Sequence, residues 1–548
     1  MPTGGELVVE GLVRWGVEVV FGLPGVQMDW LYDALAREGS IRVIHTRHEQ
    51  ATSYMADGYA RATGRVGTCA VVPGPGVLNA GAGLATAFAC NSPVLCVAGQ
   101  VFARDLGRGR GALHEIPDQL AVLRGVVGWA ERATRPEEIP GVVDAAFARL
   151  TGPGRLRPAA IEIGWDALMA EAAPQRTSSG PASPTPATVD AAAVEAAAAL
   201  LADADRPLIW AGGGAMDAGD ELLALARTLG APIVVTAQGK GAVSDREPFV
   251  LPTTAGYSLL DRTDVLVIVG SRFVGATGRP RLGEGGRVVR VDVDPAEIAR
   301  DLVPDAALVT DAAAGCRALA DALATASGGP GGSDSGKGPD RLAAAAELKA
   351  ATSAGLAERF EELAGYCGAL RSAVPDDGIL VDEMTQVGYF ARNGYPVYQP
   401  RTYLGSGYQG TLGFGYPTAL GAKVGSPGRV VVSIAGDGGF LYSPGELATA
   451  VHHDIGVVVV VFNDNAFGNV KRIQSQTFGR EIASTLHNPD FVALARSFGM
   501  AAERAHGPEE LHEVLAGAVA QGGPALIEVP IGPQPDIWPI LTGRETVA

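Results

Sequence analysis

Two continuous apolar runs, Val430 to Ala435 and Val457 to Phe462, constrain the fold of this chain more than any other feature. Unbroken runs joined by a crossover of this length belong to adjacent parallel strands covered on both faces. Between them, Ser443, Pro444 and Glu446 spell a capping box with proline at the first helical position, which predicts a helix beginning there. The first run breaks at Gly436-Asp437-Gly438 and the second at Asn463-Asp464-Asn465. Parallel strands bring both acidic residues to one carboxyl edge, where open α/β sheets bind ligands. Glycines beside Asp437 let backbone amides approach an anion, and two carboxylates with a nearby carbonyl make the hard oxygen set that a magnesium ion (Mg2+) takes. A strand ending in Gly-Asp-Gly is also a common turn, so the second acidic turn carries the weight. Together they predict a magnesium-bridged phosphate site.

At 548 residues the chain is long for one core, and two composition shifts divide it. Glu171 to Asp190 is rich in Pro, Ser and Thr without periodicity, and Thr325 to Asp340 is rich in Gly. Blocks 1–170, 190–324 and 355–548 remain, each long enough for a compact α/β domain. A net charge of -17, with no basic cluster interleaved with aromatics, argues against a nucleic-acid partner. Five cysteines, at 69, 90, 96, 316 and 367, have neither metal-ligand spacing nor the density of a disulfide scaffold, so they read as reduced, buried small hydrophobes. The start lacks a basic region followed by an apolar signal core, and no eighteen-residue apolar span follows. No membrane partner and a cytoplasmic location are therefore expected.

In the first block the apolar spacing predicts strands at Val17–Phe21, Ile41–His45, Thr68–Val72 and Pro93–Ala98, with glycine-bearing turns ending at Gly25 and Gly76. Glu49, in Arg47-His-Glu-Gln50, opens a helical run, and on its own it reads as a first-turn acid favoured by the helix dipole. The middle block carries buried runs from Arg206, Asp264 and Arg287, and the glycines after the first of them lack the full GxGxxG pattern. The last block has a strand at Gly378–Asp382 and a glycine-dense loop, Gly405 to Gly415, before a helix.

Gly436-Asp437-Gly438, followed after twenty-four intervening residues by Asn463-Asp464, resembles the signature of thiamine diphosphate enzymes, with aspartate in place of the second asparagine. The exchange keeps an oxygen ligand and adds charge. The resemblance spans essentially the whole chain and implies three parallel-sheet α/β domains: pyrimidine-binding at 1–170, central at 190–324 and diphosphate-binding at 355–548. It implies thiamine diphosphate and Mg2+ as cofactors, with the metal on Asp437, Asp464 and the Ala466 carbonyl. Gly436, Gly438 and Gly439 would flank the diphosphate, with Asn465, Phe467 and Gly468 alongside. Glu49 is similar to the glutamate that hydrogen-bonds the aminopyrimidine and couples its proton to the cofactor. Gly25, Pro73 and Asn79 would line the cleft. Gly410 and Leu412 would belong to the loop holding the ring, with Leu412 forcing the bent cofactor.

Among these enzymes the pattern is similar to acetolactate synthases, and it departs from them in the substrate pocket. His114 precedes Glu115 where glutamine is usual, and a histidine can exchange protons with a carbonyl adduct. Gln119 is a candidate for the same pocket. Ile473 stands where tryptophan is typical, and Lys471 and Arg472 face either a substrate carboxylate or solvent. In the middle block, Gly270-Ser-Arg-Phe273 with Thr277-Gly278 is broadly similar to the family's FAD segment, making FAD or ADP a candidate there. The expected activity is acetolactate-synthase-like carboligation of a 2-oxoacid, pyruvate by default, with a second carbonyl. A non-ligating 2-oxoacid decarboxylase of the benzoylformate type and a 2-hydroxyacyl-CoA lyase are the alternatives. A non-catalytic homologue is disfavoured, since packing needs neither Glu49 nor the acidic pair. A homodimer or homotetramer with sites between subunits is implied.

Overall fold

The computed structural model describes residues 1–173, 188–274, 282–300, 302–326 and 337–547. Most of both predicted linkers, and Thr277-Gly278, lie outside the described residues. Three six-stranded sheets, all parallel, build the rest. The first contains β1 (Val19–Gly22), β2 (Arg42–His45), β3 (Gly67–Val71), β4 (Val94–Gln100), β5 (Ala130–Ala133) and β6 (Ala159–Gly164) in the order β2-β1-β3-β4-β6-β5. The second contains β7 (Pro207–Ala211), β8 (Ile233–Val235), β9 (Val250–Pro252), β10 (Val265–Val269), β11 (Arg287–Asp292) and β12 (Ala306–Val309), ordered β12-β11-β10-β7-β8-β9. The third contains β13 (Ile379–Val381), β14 (Tyr403–Leu404), β15 (Val431–Gly436), β16 (Val457–Asn463), β17 (Ala501–Arg504) and β18 (Ala525–Pro530), ordered β14-β13-β15-β16-β18-β17. The first and third sheets thus repeat one topology. The middle sheet has the doubly wound order, with its first strand central.

The continuous valine-rich runs form the predicted neighbours. β15 and β16 pair in parallel from Val431↔Val457 to Gly436↔Phe462, and β16 is buried along its length. Strand order reverses between β13 and β15, so the turn after β15 opens on the crevice where such sheets take ligands. Among the described residues, no helix is long and apolar enough to cross a membrane. All five cysteines are free, and Cys69 and Cys96 sit opposite each other on β3 and β4.

One apolar core runs through both outer domains, joining Tyr54 and Met55 to Phe414, Tyr416, Ile379 and Val431. At its centre helix Glu49–Thr63 crosses helix Gly415–Gly425. Glycine makes the crossing possible. A Cβ on Gly58 would collide with the Thr418 carbonyl oxygen, and one on Gly421 with the Met55 carbonyl oxygen.

The expected capping box does not form. Helix Glu446–His452 begins at the glutamate, and its N-cap, Gly445, offers no side-chain bond. The Glu446 carboxylate instead accepts from the amides of Arg47 (3.1 Å) and His48 (3.1 Å), so a cross-domain loop with unpaired donors outcompetes the local cap. In the middle domain, Cβ atoms on Gly212 or Gly270 would collide with the facing loop. That close approach of two turns accounts for the glycine cluster without a nucleotide.

Candidate functional site

Asp437 and Asp464 each leave the end of a neighbouring strand and meet at the carboxyl edge of the third sheet. Burial pushes both carboxyls up, and the charge of Asp437 helps bring Asp464 to about 6. Two acids held this way are short of positive charge, which a divalent cation would supply. Asn465 adopts a left-handed conformation (φ 55°) that turns the chain back, and Asp464 Oδ1 accepts from the Ala466 amide at 3.1 Å. The segment from Ser484 folds over this turn through Phe467 N to Ser484 O (2.8 Å) and Leu486 N to Asn465 O (2.7 Å). Neither bond uses the Ala466 carbonyl. Two site glycines have steric reasons: a Cβ on Gly468 would strike the Asp464 carboxylate, and one on Gly438 would come within 2.6 Å of the Phe467 ring. At Gly436 a Cβ would make only ordinary van der Waals contact, with Thr385 at 3.6 Å, so no steric reason requires glycine there. Two carboxylates beside a carbonyl are a donor set that a divalent cation such as Mg2+ would fit.

Asn488 belongs to the same cluster and was not singled out by the sequence. Its amide nitrogen lies 2.6 Å from Asp437 Oδ2, 2.9 Å from Asn463 Oδ1 and 3.3 Å from Asn465 Oδ1, so two hydrogens serve three acceptors. Asn463 is anchored in turn, donating to Glu528 Oε1 at 2.9 Å. Asn488-Pro489 carries no signal beyond a turn.

Glu383, just past β13, is the second unforeseen residue. Its carboxylate accepts from the amides of Gly413 and Gly415, which fixes the loop carrying Gly410 and Leu412. A Cβ on Gly439 would strike the same carboxylate, so Glu383 lies between that loop and the Gly438-Gly439 turn. Burial pushes it up to about 7, against the pull of the two amides. Gly410 has a left-handed φ of 58°, and Leu412 is half-buried.

The N-terminal residues gather at the ends of β1, β3 and β4. Glu49 is buried at the first position of its helix and accepts from Asn79 Nδ2 at 2.9 Å. A Cβ on Gly25 would come within 2.5 Å of Val72, directly before Pro73. Gly74 donates to Gln119 Oε1 (2.7 Å), and Gln119 Nε2 donates to the Gly99 carbonyl (2.8 Å) and to Glu162 (3.2 Å). Gln119 is therefore turned inward as the anchor of the Pro73-Gly74 turn. His114 packs its backbone on that turn, holds a left-handed φ of 69° and buries Nδ1 without a hydrogen-bond partner.

Helix Gly468–Phe478 follows the acid pair, and none of its residues is buried. Ile473 is half-exposed on it. Lys471 pairs with Glu481 at 3.7 Å, while Arg472 pairs with Asp536 and donates to Asn469 Oδ1 at 2.7 Å. Among the described residues, no hydrogen bond or ion pair joins Glu49 to the Asp437–Asp464 cluster.

Comparison with known proteins follows the same division. Residues 2–122 match the N-terminal TPP binding domain of thiamine pyrophosphate enzymes, residues 194–319 their central domain and residues 383–529 their C-terminal TPP binding domain. The chain is similar to a probable 2-ketoarginine decarboxylase of Pseudomonas aeruginosa, with 35% identity over 96% of this chain and 94% of the relative. It is also similar to a probable acetolactate synthase large subunit of Methanocaldococcus jannaschii, with 34% identity over 97% and 92% of the two chains. The acetolactate synthase isozyme 3 large subunit of Escherichia coli is 32% identical over 95% and 93%.

Proposed function

The chain belongs to the thiamine pyrophosphate enzymes, and from that premise we propose that it is a magnesium-dependent 2-oxoacid decarboxylase releasing its product as a free aldehyde. The similarity to the probable 2-ketoarginine decarboxylase along nearly the whole chain favours this choice over the ligation expected from the motifs. Bound at the sheet edge, thiamine diphosphate supplies the carbon nucleophile that lets a 2-oxoacid lose carbon dioxide. Asp437, Asp464 and the Ala466 carbonyl would hold Mg2+, and the Gly438 and Gly439 amides would serve the diphosphate. Glu49, kept in place by Asn79, holds and exchanges a proton with the aminopyrimidine. Gly25, Pro73 and Leu412 shape the cleft around the ring.

Release of an aldehyde needs a proton at the carbon that lost carboxylate, where a ligase needs a second carbonyl instead. His114 supports that step, because its unpartnered Nδ1 can carry a proton that a glutamine could not. Gln119 keeps the turn beneath it in place. Ligation stands as the second reading, favoured by the acetolactate synthase relatives that match with almost equal identity.

We read Glu49 and the acid pair as two halves of one site, so that Glu49 of one copy meets the acid pair of another in a homodimer or homotetramer. Large apolar side chains are exposed beside site residues, with Leu78 next to Asn79, Leu113 next to His114, and Ile473 and Phe478 after the acid pair. Carbon dioxide release from 2-ketoarginine, pyruvate and benzoylformate, each with and without thiamine diphosphate and Mg2+, tests the reading. Cofactor-dependent release from at least one of them is expected; no release from any 2-oxoacid would overturn it.

A further inference from the structure

Three histidines meet where the outer domains touch, away from the acid pair. His45 ends β2, while His452 and His453 close helix Glu446–His452 of the other domain. Their ring centroids are nearly equidistant, at 4.6 Å for His45–His452, 4.7 Å for His45–His453 and 4.7 Å for His452–His453. His453 Nε2 lies 3.2 Å from His45 Nδ1. One ring nitrogen from each residue lies within 4.8 Å of the other two, the one such group of potential ligands among the described residues. In a tetrahedral site with metal–nitrogen bonds of about 2.0–2.1 Å, ligand nitrogens stand roughly 3.3 Å apart. One edge of that tetrahedron is already present.

We propose that His45, His452 and His453 form a transition-metal site of the zinc class that clasps the N-terminal domain to the C-terminal domain. An all-imidazole set suits Zn2+, Co2+, Ni2+ or Cu2+ and not Mg2+, so it is chemically distinct from the Asp437–Asp464 pair. Burial, then the neighbouring histidines and arginines, lower His45 and push His453 down to about 4. Arg47 and Arg42 face the cluster as well, and Arg42 Nη2 donates to the His453 carbonyl at 3.2 Å. Both oppose a cation, so the three nitrogens must supply the affinity. Occupancy would fasten the end of β2, four residues before Glu49, to the helix whose Glu446 already holds the Arg47 and His48 amides.

The test strips the full-length protein with a chelator and titrates it with Co2+ while excess Mg2+ occupies the carboxylates. One equivalent should bind with the intense visible absorption of tetrahedral cobalt, be displaced by Zn2+, and persist in Asp437→Asn. His453→Gln should weaken binding by more than about a hundredfold, beyond what loss of a ligand's supporting hydrogen bond costs. His452→Gln, at an exposed side chain, should do the same without a folding effect. Zn2+ should raise the melting temperature of the parent protein and of neither histidine variant. Absence of a tetrahedral spectrum, or one that survives in both histidine variants, would overturn the proposal.

Discussion

Glu49 is buried with Asn79 as its hydrogen-bond donor, and the proposed function gives it the proton exchange with the aminopyrimidine. Glu49→Gln keeps the Asn79 contact and removes the exchangeable proton, so carbon dioxide release should fall by about a hundredfold or more. The melting temperature should stay near that of the parent, which separates lost chemistry from lost fold. Asp437 and Asp464 are legible as partners in the sequence because each ends an apolar run, and parallel neighbours must deliver both to one edge. Asn488 is not legible. It reaches Asp437 across 51 residues of chain, and nothing in Asn-Pro foretells which turn will fold back over the strands. Glu383 escapes notice for a related reason: its acceptors' partners are backbone amides, which every residue has.

Among elements, the crossing of helices Glu49–Thr63 and Gly415–Gly425 is the most exacting contact, since backbone meets backbone. Gly421→Ala should destabilise the protein by about 1–3 kcal/mol, the usual cost of overpacking, measured by denaturant unfolding. An unaltered midpoint would mean that the helices are farther apart than described. The loop held by Glu383 has its own signature. Its carboxyl, raised to about 7 from an ordinary 4.5, retains a proton in the folded protein that the unfolded chain has released. The stability it contributes is complete below about 4.5 and is lost as pH rises through about 7. Thermal unfolding of cofactor-free protein should therefore show stability lost across that window, and Glu383→Gln should remove this part of the slope. Strands and their neighbours were readable from continuous valine runs. The capping box that Ser443 and Glu446 spell does not form, because a local pattern cannot reveal a competing partner in another domain, and Glu446 finds one in Arg47 and His48.

For the whole molecule, the first and third sheets repeat one topology, and the proposed assembly joins Glu49 of one copy to the acid pair of another. Mixing Glu49→Gln with Asp437→Asn subunits checks this. Each alone should be inactive, while reassorted dimers should recover roughly a quarter of parental activity, since half the dimers form mixed pairs with one intact site. No recovery after demonstrated exchange would place both half-sites in one copy. Domain order and class were legible from composition shifts and buried runs, whereas the choice between ligation and simple decarboxylation was not. That choice turns on whether a proton or a second carbonyl reaches the product carbon, and in the proposed reading the proton comes from His114, whose backbone packs on a turn forty residues earlier in the chain. The most direct measurement is the ratio of free aldehyde to carbon dioxide for the best 2-oxoacid substrate, with and without added acceptor aldehyde. A ratio near one that acceptor leaves unchanged is expected, and carbon dioxide accompanied by an acyloin or acetohydroxyacid in place of aldehyde would contradict the assignment.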